Sequence, residues 1–223
     1  MKENRRNLYI ASGALLAFAI WTAMVCFVGR APIGPQGTEV GLAAINGAFH
    51  RLTGVNMTLY TVTDWLGLVP FAVAAGFAML GLVQWIKRKN LFKVDFSLFV
   101  LGGLYIVTVA AYIFFEIIVI NYRPVLIEGR LEASYPSSTT MLVMCVMPAA
   151  AIELSRRIRV RSLKYTLVGI IAVFTLFMVV ARLLSGVHWV SDIVGGALLS
   201  TGLVMMYRYF LGCAKIKCYK YHK

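Results

Sequence analysis

Acidic side chains are scarce in this chain. Nine Asp and Glu stand against 22 Lys and Arg in 223 residues, and charged residues of both signs make up only 14%. Ordinary soluble domains carry about 25%, so a water-soluble globular fold is excluded. Histidine is scarcer still at three, and the four cysteines are dispersed. No group of His, Cys and carboxylates has metal-ligand spacing, so no metal or other cofactor is called for. Cys26 and Cys145 fall in apolar runs, while Cys213 and Cys218 lie near the C-terminus. That leaves no disulfide framework, and the tail thiols read as incidental rather than lipidated. Tandem repeats and low-complexity tracts are absent as well.

Apolar residues are what the chain has in excess, at 60%. Six runs approach the roughly 20 apolar residues that an α-helix needs to cross a bilayer: 8–28, 65–86, 96–120, 139–154, 165–184 and 190–211, the fourth being the shortest. The expectation is an all-α, six-transmembrane helix bundle forming one integral-membrane domain over residues 1–223. Cys26-Phe27-Val28-Gly29 has no small-x-small pattern, so the first run is read as a span and not as a cleaved leader. The basic excess sorts onto one side of the spans. Only Arg30, Arg51, Arg123, Arg130 and Arg182 fall on the other, and the remaining 17 of the 22 cluster before the first span, after the second, between the fourth and fifth, and at the C-terminus. The positive-inside rule then puts both termini, with a tail over 212–223, in the cytoplasm. Net charge +13 is topology and attraction to anionic membrane lipids. With no aromatic-basic module, nucleic acid is excluded as a partner.

In chain order, 29–64 reads as an outer loop. Leu42, Ile45, Phe49 and Leu52 recur in it at helical spacing, as in an amphipathic helix lying at the interface. His50 is read as facing headgroups, and Asp64 as the cap of the second span. The third span ends at Pro124, which leaves Arg123 at its outer rim. A second outer loop, 123–138, runs into Ser137, Ser138 and Thr139 at the start of the fourth span, where hydroxyls and free amides form an anion site. Arg182, His188 and Asp192 flank a Ser185-Gly186 turn between the last two spans. Asp192, one helical turn beyond His188, can hold one imidazole nitrogen and raise the basicity of the other. Arg182 offers a planar fork that suits a phosphate. Ionisable groups are expensive at a membrane-helix end, which makes them functional candidates.

Arg123-Pro124, Pro136-Ser137 and Arg182…His188…Asp192 together resemble the three signature blocks of the type 2 phosphatidic acid phosphatase (PAP2) superfamily, integral-membrane lipid phosphatases related to vanadium haloperoxidases. The family blocks are Lys-x6-Arg-Pro, Pro-Ser-Gly-His and Ser-Arg-x5-His-x3-Asp. In this chain Ala181 replaces the serine of the third block, Glu116 the lysine of the first, and Ser138 and Thr139 the glycine and histidine of the second. The resemblance implies a PAP2/haloperoxidase-like core in which His188 forms a phosphohistidine, Asp192 orients it, and Arg123, Arg182, Ser137 and Ser138 bind the phosphoryl oxygens. Thr139 and Glu116 stand where the family has an acid and a cation, and they are the candidate modulators. The implied substrate is a lipid phosphate or isoprenyl pyrophosphate, taken on the outer face of a bacterial plasma (inner) membrane. The rival functions are a phosphotransferase using the same intermediate and a non-catalytic lipid-phosphate binder or transporter.

Sidedness is open to direct labelling. A cysteine placed at Glu128 or Gly186 should react with an impermeant thiol reagent added to intact cells, and Cys218 should not. The opposite pattern would invert the topology.

Overall fold

The computed structural model describes the backbone of residues 2–221 and the side chains of residues 2–213. The side chain of Cys218 and the last two residues of the predicted tail lie outside the described residues. The elements in order are α1 (Lys2–Phe27), α2 (Ala43–Thr53), α3 (Met57–Leu66), α4 (Leu68–Arg88), α5 (Phe96–Ile117), α6 (Ser138–Arg157), α7 (Arg161–Leu184) and α8 (Val190–Tyr221). The described residues include no strand. Six runs are long and apolar enough to cross a membrane, with α3 and α4 together making the second. The protein is an all-α integral membrane protein.

Among the boundaries that differ from the sequence reading, three matter most. The second span begins at Met57, eight residues before the predicted start. Asn56 caps it, its side chain accepting from the Leu59 amide at 2.9 Å. Asp64 is therefore not a cap but sits in the last turn of α3. Threonine made this stretch look like loop, yet Thr61 and Thr63 return their hydroxyls to the carbonyls of Met57 and Leu59, both at 2.9 Å. A threonine satisfied by its own helix costs little to place in an apolar setting. The third span stops at Ile117, well before Arg123, so Arg123 belongs to the following loop and does not share a helix with Glu116. Finally, α8 continues as helix through Tyr221, into the stretch expected as tail.

A helix does form where Ile45, Phe49 and Leu52 recur, as α2 over Ala43–Thr53. Helix α1 lies along α8, and α6 packs against both α7 and α8. Gly195 permits one close approach in this arrangement, since a Cβ there would come within 2.7 Å of the buried Tyr135 ring. Gly186 sits in the α7–α8 turn at φ +68, and a side chain there would run into the carbonyl of Gly54. Glu128, which is exposed, is therefore the better of the two labelling positions.

Helix directions put the lysines and arginines at the start of α1, the end of α4, the end of α6 and the start of α7 at one end of the bundle. That end is tied together by Glu153 of α6, only 1% exposed. Its carboxylate accepts from Tyr207 at 2.5 Å and from Ser97 at 3.1 Å, and pairs with Arg157 at 3.2 Å. A carboxylate in apolar surroundings persists only with such partners. Glu153→Ala should lower the thermal midpoint in detergent markedly. Breaking a buried ion pair costs about 3–5 kcal/mol, and the partial exposure of Arg157 points to the low end. An unchanged midpoint would remove this network from the account of stability.

Candidate active site

At the opposite end, the loop between α5 and α6 folds back on itself. After Ile117 comes the β-branched run Ile118-Val119-Ile120, and Pro124 then forces Arg123 out of helical geometry. The two limbs pair: the Arg123 amide donates to the Glu132 carbonyl at 3.1 Å, and the Ser134 amide to the Asn121 carbonyl at 2.9 Å. The Asn121 side chain accepts from the Gly41 amide at 3.1 Å, tying this loop to the first one. The second limb ends at Ser137, whose amide donates to the Asp192 carbonyl at 3.0 Å. Its hydroxyl caps α6, accepting from the Thr140 amide at 3.5 Å.

The turn from α7 to α8 is equally constrained. Ser185 donates its hydroxyl to the Arg182 carbonyl at 2.7 Å, and its own carbonyl accepts from the Asn56 amide at 2.9 Å. Trp189 donates its indole N–H to the Tyr122 carbonyl at 2.7 Å. Asn46 of α2 grips the first turn of α8 through both the amide and the hydroxyl of Ser191, at 3.1 and 2.9 Å. These contacts bring His188 and Asp192 of the turn and Ser134 of the loop together, all almost fully buried.

Asp192 does not hold His188 directly, as the sequence reading expected. Its Oδ2 lies 3.8 Å from His188 Nδ1, too far for a hydrogen bond. The Ser134 hydroxyl stands between them, 3.0 Å from Nδ1 and hydrogen-bonded to Asp192 Oδ2. The carboxylate also accepts from the Trp189 amide at 2.9 Å and from the Ser191 hydroxyl at 3.2 Å. Burial holds the His188 pKa well below its ordinary value, and the positive charges of Arg123 and Arg182 push the same way. The imidazole is neutral at neutral pH.

Both arginines rest on one ring. The guanidinium carbon of Arg182 lies 4.8 Å from the centre of the Tyr60 ring, and that of Arg123 lies 6.0 Å from it. Arg182 also donates to Thr63 Oγ1 at 3.2 Å and approaches Asp64 at 3.9 Å. Arg123 pairs with Glu132 at 3.1 Å. Four buried nitrogens are left without partners: Arg123 Nε and Nη1, Arg182 Nε and His188 Nε2. A cavity of about 360 Å³ opens beside Arg123 and His188, lined also by Ser134, Ser138, Glu116 and Glu132 among others. Arg182 is only 1% exposed and lies outside that lining.

The remaining candidates fall as follows. Ser138 lines the cavity, whereas Ser137 is fully buried with its hydroxyl turned to the α6 cap. Thr139, in the first turn of α6, is half-buried and is not part of the lining. Glu116 is exposed at the cavity mouth, and the carboxylate that meets Arg123 is Glu132. His50 packs its ring on Trp189, 5.4 Å between centres. Sequence reasoning missed Ser134, Glu132, Tyr60 and Thr63. Only the last two left a local signal: Tyr60, Thr63 and Asp64 recur at the spacing of one helix face.

The PAP2 superfamily model matches residues 70–213 of the chain. The crystal structure of a transmembrane PAP2-type phosphatidylglycerolphosphate phosphatase from Bacillus subtilis superposes with a TM-score of 0.54 at 20% identity, over 91% of this chain and 96% of that one. No curated protein matches by sequence.

A neutral His188 is directly measurable. Its NMR titration midpoint should lie below the value of about 6.5 for a free imidazole side chain, and Arg123→Gln should raise it by removing one repelling charge. A midpoint at or above 6.5 would contradict the electrostatics of the site.

Proposed function

Because the chain belongs to the PAP2 superfamily, we propose that it is a membrane phosphatase that hydrolyses a lipid phosphate or lipid pyrophosphate through a phosphohistidine on His188. The observation that carries this reading is the group of buried nitrogens without partners. Leaving a buried donor unsatisfied costs about 1–3 kcal/mol, and more for a charged group. Three guanidinium nitrogens in that condition favour an anion with several acceptor oxygens, which a phosphoryl group is, and His188, whose Nε2 is also without a partner, lines the cavity beside Arg123.

In the reaction His188 Nε2 attacks phosphorus and the leaving oxygen departs with the bonding pair. Arg123, Arg182 and Ser138 take the phosphoryl oxygens, so that charge developing on them meets donors already in place. Water then attacks the phosphohistidine, and the electron pair of the P–N bond returns to Nε2. The site lies at the end of the bundle away from the basic clusters, which supports an extracytoplasmic position. There a headgroup reaches the cavity while its tail stays in the bilayer.

No imidazole stands at position 139, and a threonine hydroxyl is a poor acid. Substrates whose leaving group is already a stable anion, such as diphosphates, should therefore react faster than alkyl monoesters. Phosphate release from detergent-solubilised protein against a panel of lipid phosphates and diphosphates tests both points. His188→Ala should reduce release to background, and Asp192→Asn should reduce it by roughly 10²–10⁴-fold, the range for losing general-acid–base assistance or an orienting carboxylate. Full activity in purified His188→Ala would remove the nucleophile assignment. Acceptor-dependent transfer without release would make the protein a phosphotransferase, and binding without turnover would make it a carrier.

A further inference from the structure

We propose that Ser134 is a positioning residue which fixes the tautomer of His188 and couples its ring to Asp192. The inference rests on His188 being the nucleophile and goes beyond that reading in saying what readies it.

A serine hydroxyl has one proton to donate and lone pairs to accept with. The Asp192 carboxylate meets donors at its other contacts, the Trp189 amide and the Ser191 hydroxyl, and Ser134 meets it as a third donor. The Ser134 proton therefore goes to Asp192 Oδ2, and Ser134 Oγ faces His188 Nδ1, 3.0 Å away, as an acceptor. Nδ1 must then carry the imidazole proton. Nε2, which has no partner in the protein, is left with its lone pair free, as a nucleophile requires. The opposite arrangement, with Ser134 donating to Nδ1, would put the proton on Nε2 and disable it.

The same contact acts during the reaction. When Nε2 bonds to phosphorus and the P–O bond to the leaving group breaks, the ring becomes cationic while Nδ1 keeps its proton. Part of that charge is met by a hydroxyl already polarised towards Asp192. When water displaces the ring the electron pair returns to Nε2, the proton lost by water passes to solvent, and Ser134 ends as it began. Position is assured by the loop: Ser134 is 2% exposed and its amide is tied to Asn121 at 2.9 Å.

Three histidines in the chain make ¹⁵N-histidine NMR tractable, with His188→Ala assigning the resonance. In the wild type at pH 7, His188 should show a protonated Nδ1 and an unprotonated Nε2. In Ser134→Ala that preference should be lost, with kcat on the best panel substrate falling by about 10–100-fold and KM staying within about twofold. Ser134→Thr, which keeps the hydroxyl, should recover most of both. A wild-type His188 protonated at Nε2 overturns the proposal. So does Ser134→Ala with an unaltered tautomer, whatever its rate, because a loss of rate alone would mark a packing role. Should Ser134→Ala not fold in detergent, the wild-type spectrum alone decides. If the wild type turns over no lipid phosphate, the phosphatase reading fails while the tautomer measurement stands.

Discussion

Two arginines share one tyrosine ring inside a membrane protein, and each keeps guanidinium N–H groups that no protein atom satisfies. Like charges held this close and this dry repel each other, and the surrounding contacts of the site offset that cost. Tyr60 offers both a π face, Thr63 and Asp64 take part of Arg182, and Glu132 takes one edge of Arg123. A dianionic phosphoryl group in the cavity would relieve what remains. Burial and the same field hold His188 neutral, so on the proposed mechanism one arrangement of charge would both attract the substrate and ready the group that attacks it.

This dependence explains why so much of the chain converges on one end of the bundle. Helix α3 brings the ring and the threonine, the α5–α6 loop brings Arg123 and Ser134, and the α7–α8 turn brings Arg182, His188 and Asp192. Asn46 and Asn121 fasten these pieces to each other. Polar side chains that would be costly alone in an apolar interior are tolerable because each is bonded to backbone or to another member of the group.

The spans were legible in the sequence because apolar length is a local property, whereas the direct contact expected between Asp192 and His188 is replaced by one through the Ser134 hydroxyl. Helix α3 was hidden by its threonines and Asp64, whose hydroxyl bonding to the backbone cannot be seen in composition. Glu116 and Arg123 read as parts of one span that runs to Pro124. Once α5 ends at Ile117 that geometry lapses, and Glu132, fixed by a hairpin-like loop, takes the ion pair. Ser134 could not have been found from spacing. Its link to His188 joins positions 54 residues apart, and only the folding of the loop brings them together.

The central claim is that phosphorus passes through His188 on its way to water. Rapid quenching of the protein with a ³²P-labelled lipid phosphate or diphosphate measures this directly. The account predicts a covalent phosphoprotein that survives alkali, is lost in acid, and is absent from His188→Ala. A label stable to acid, or one that persists in His188→Ala, would place the phosphoryl group on another residue and contradict it.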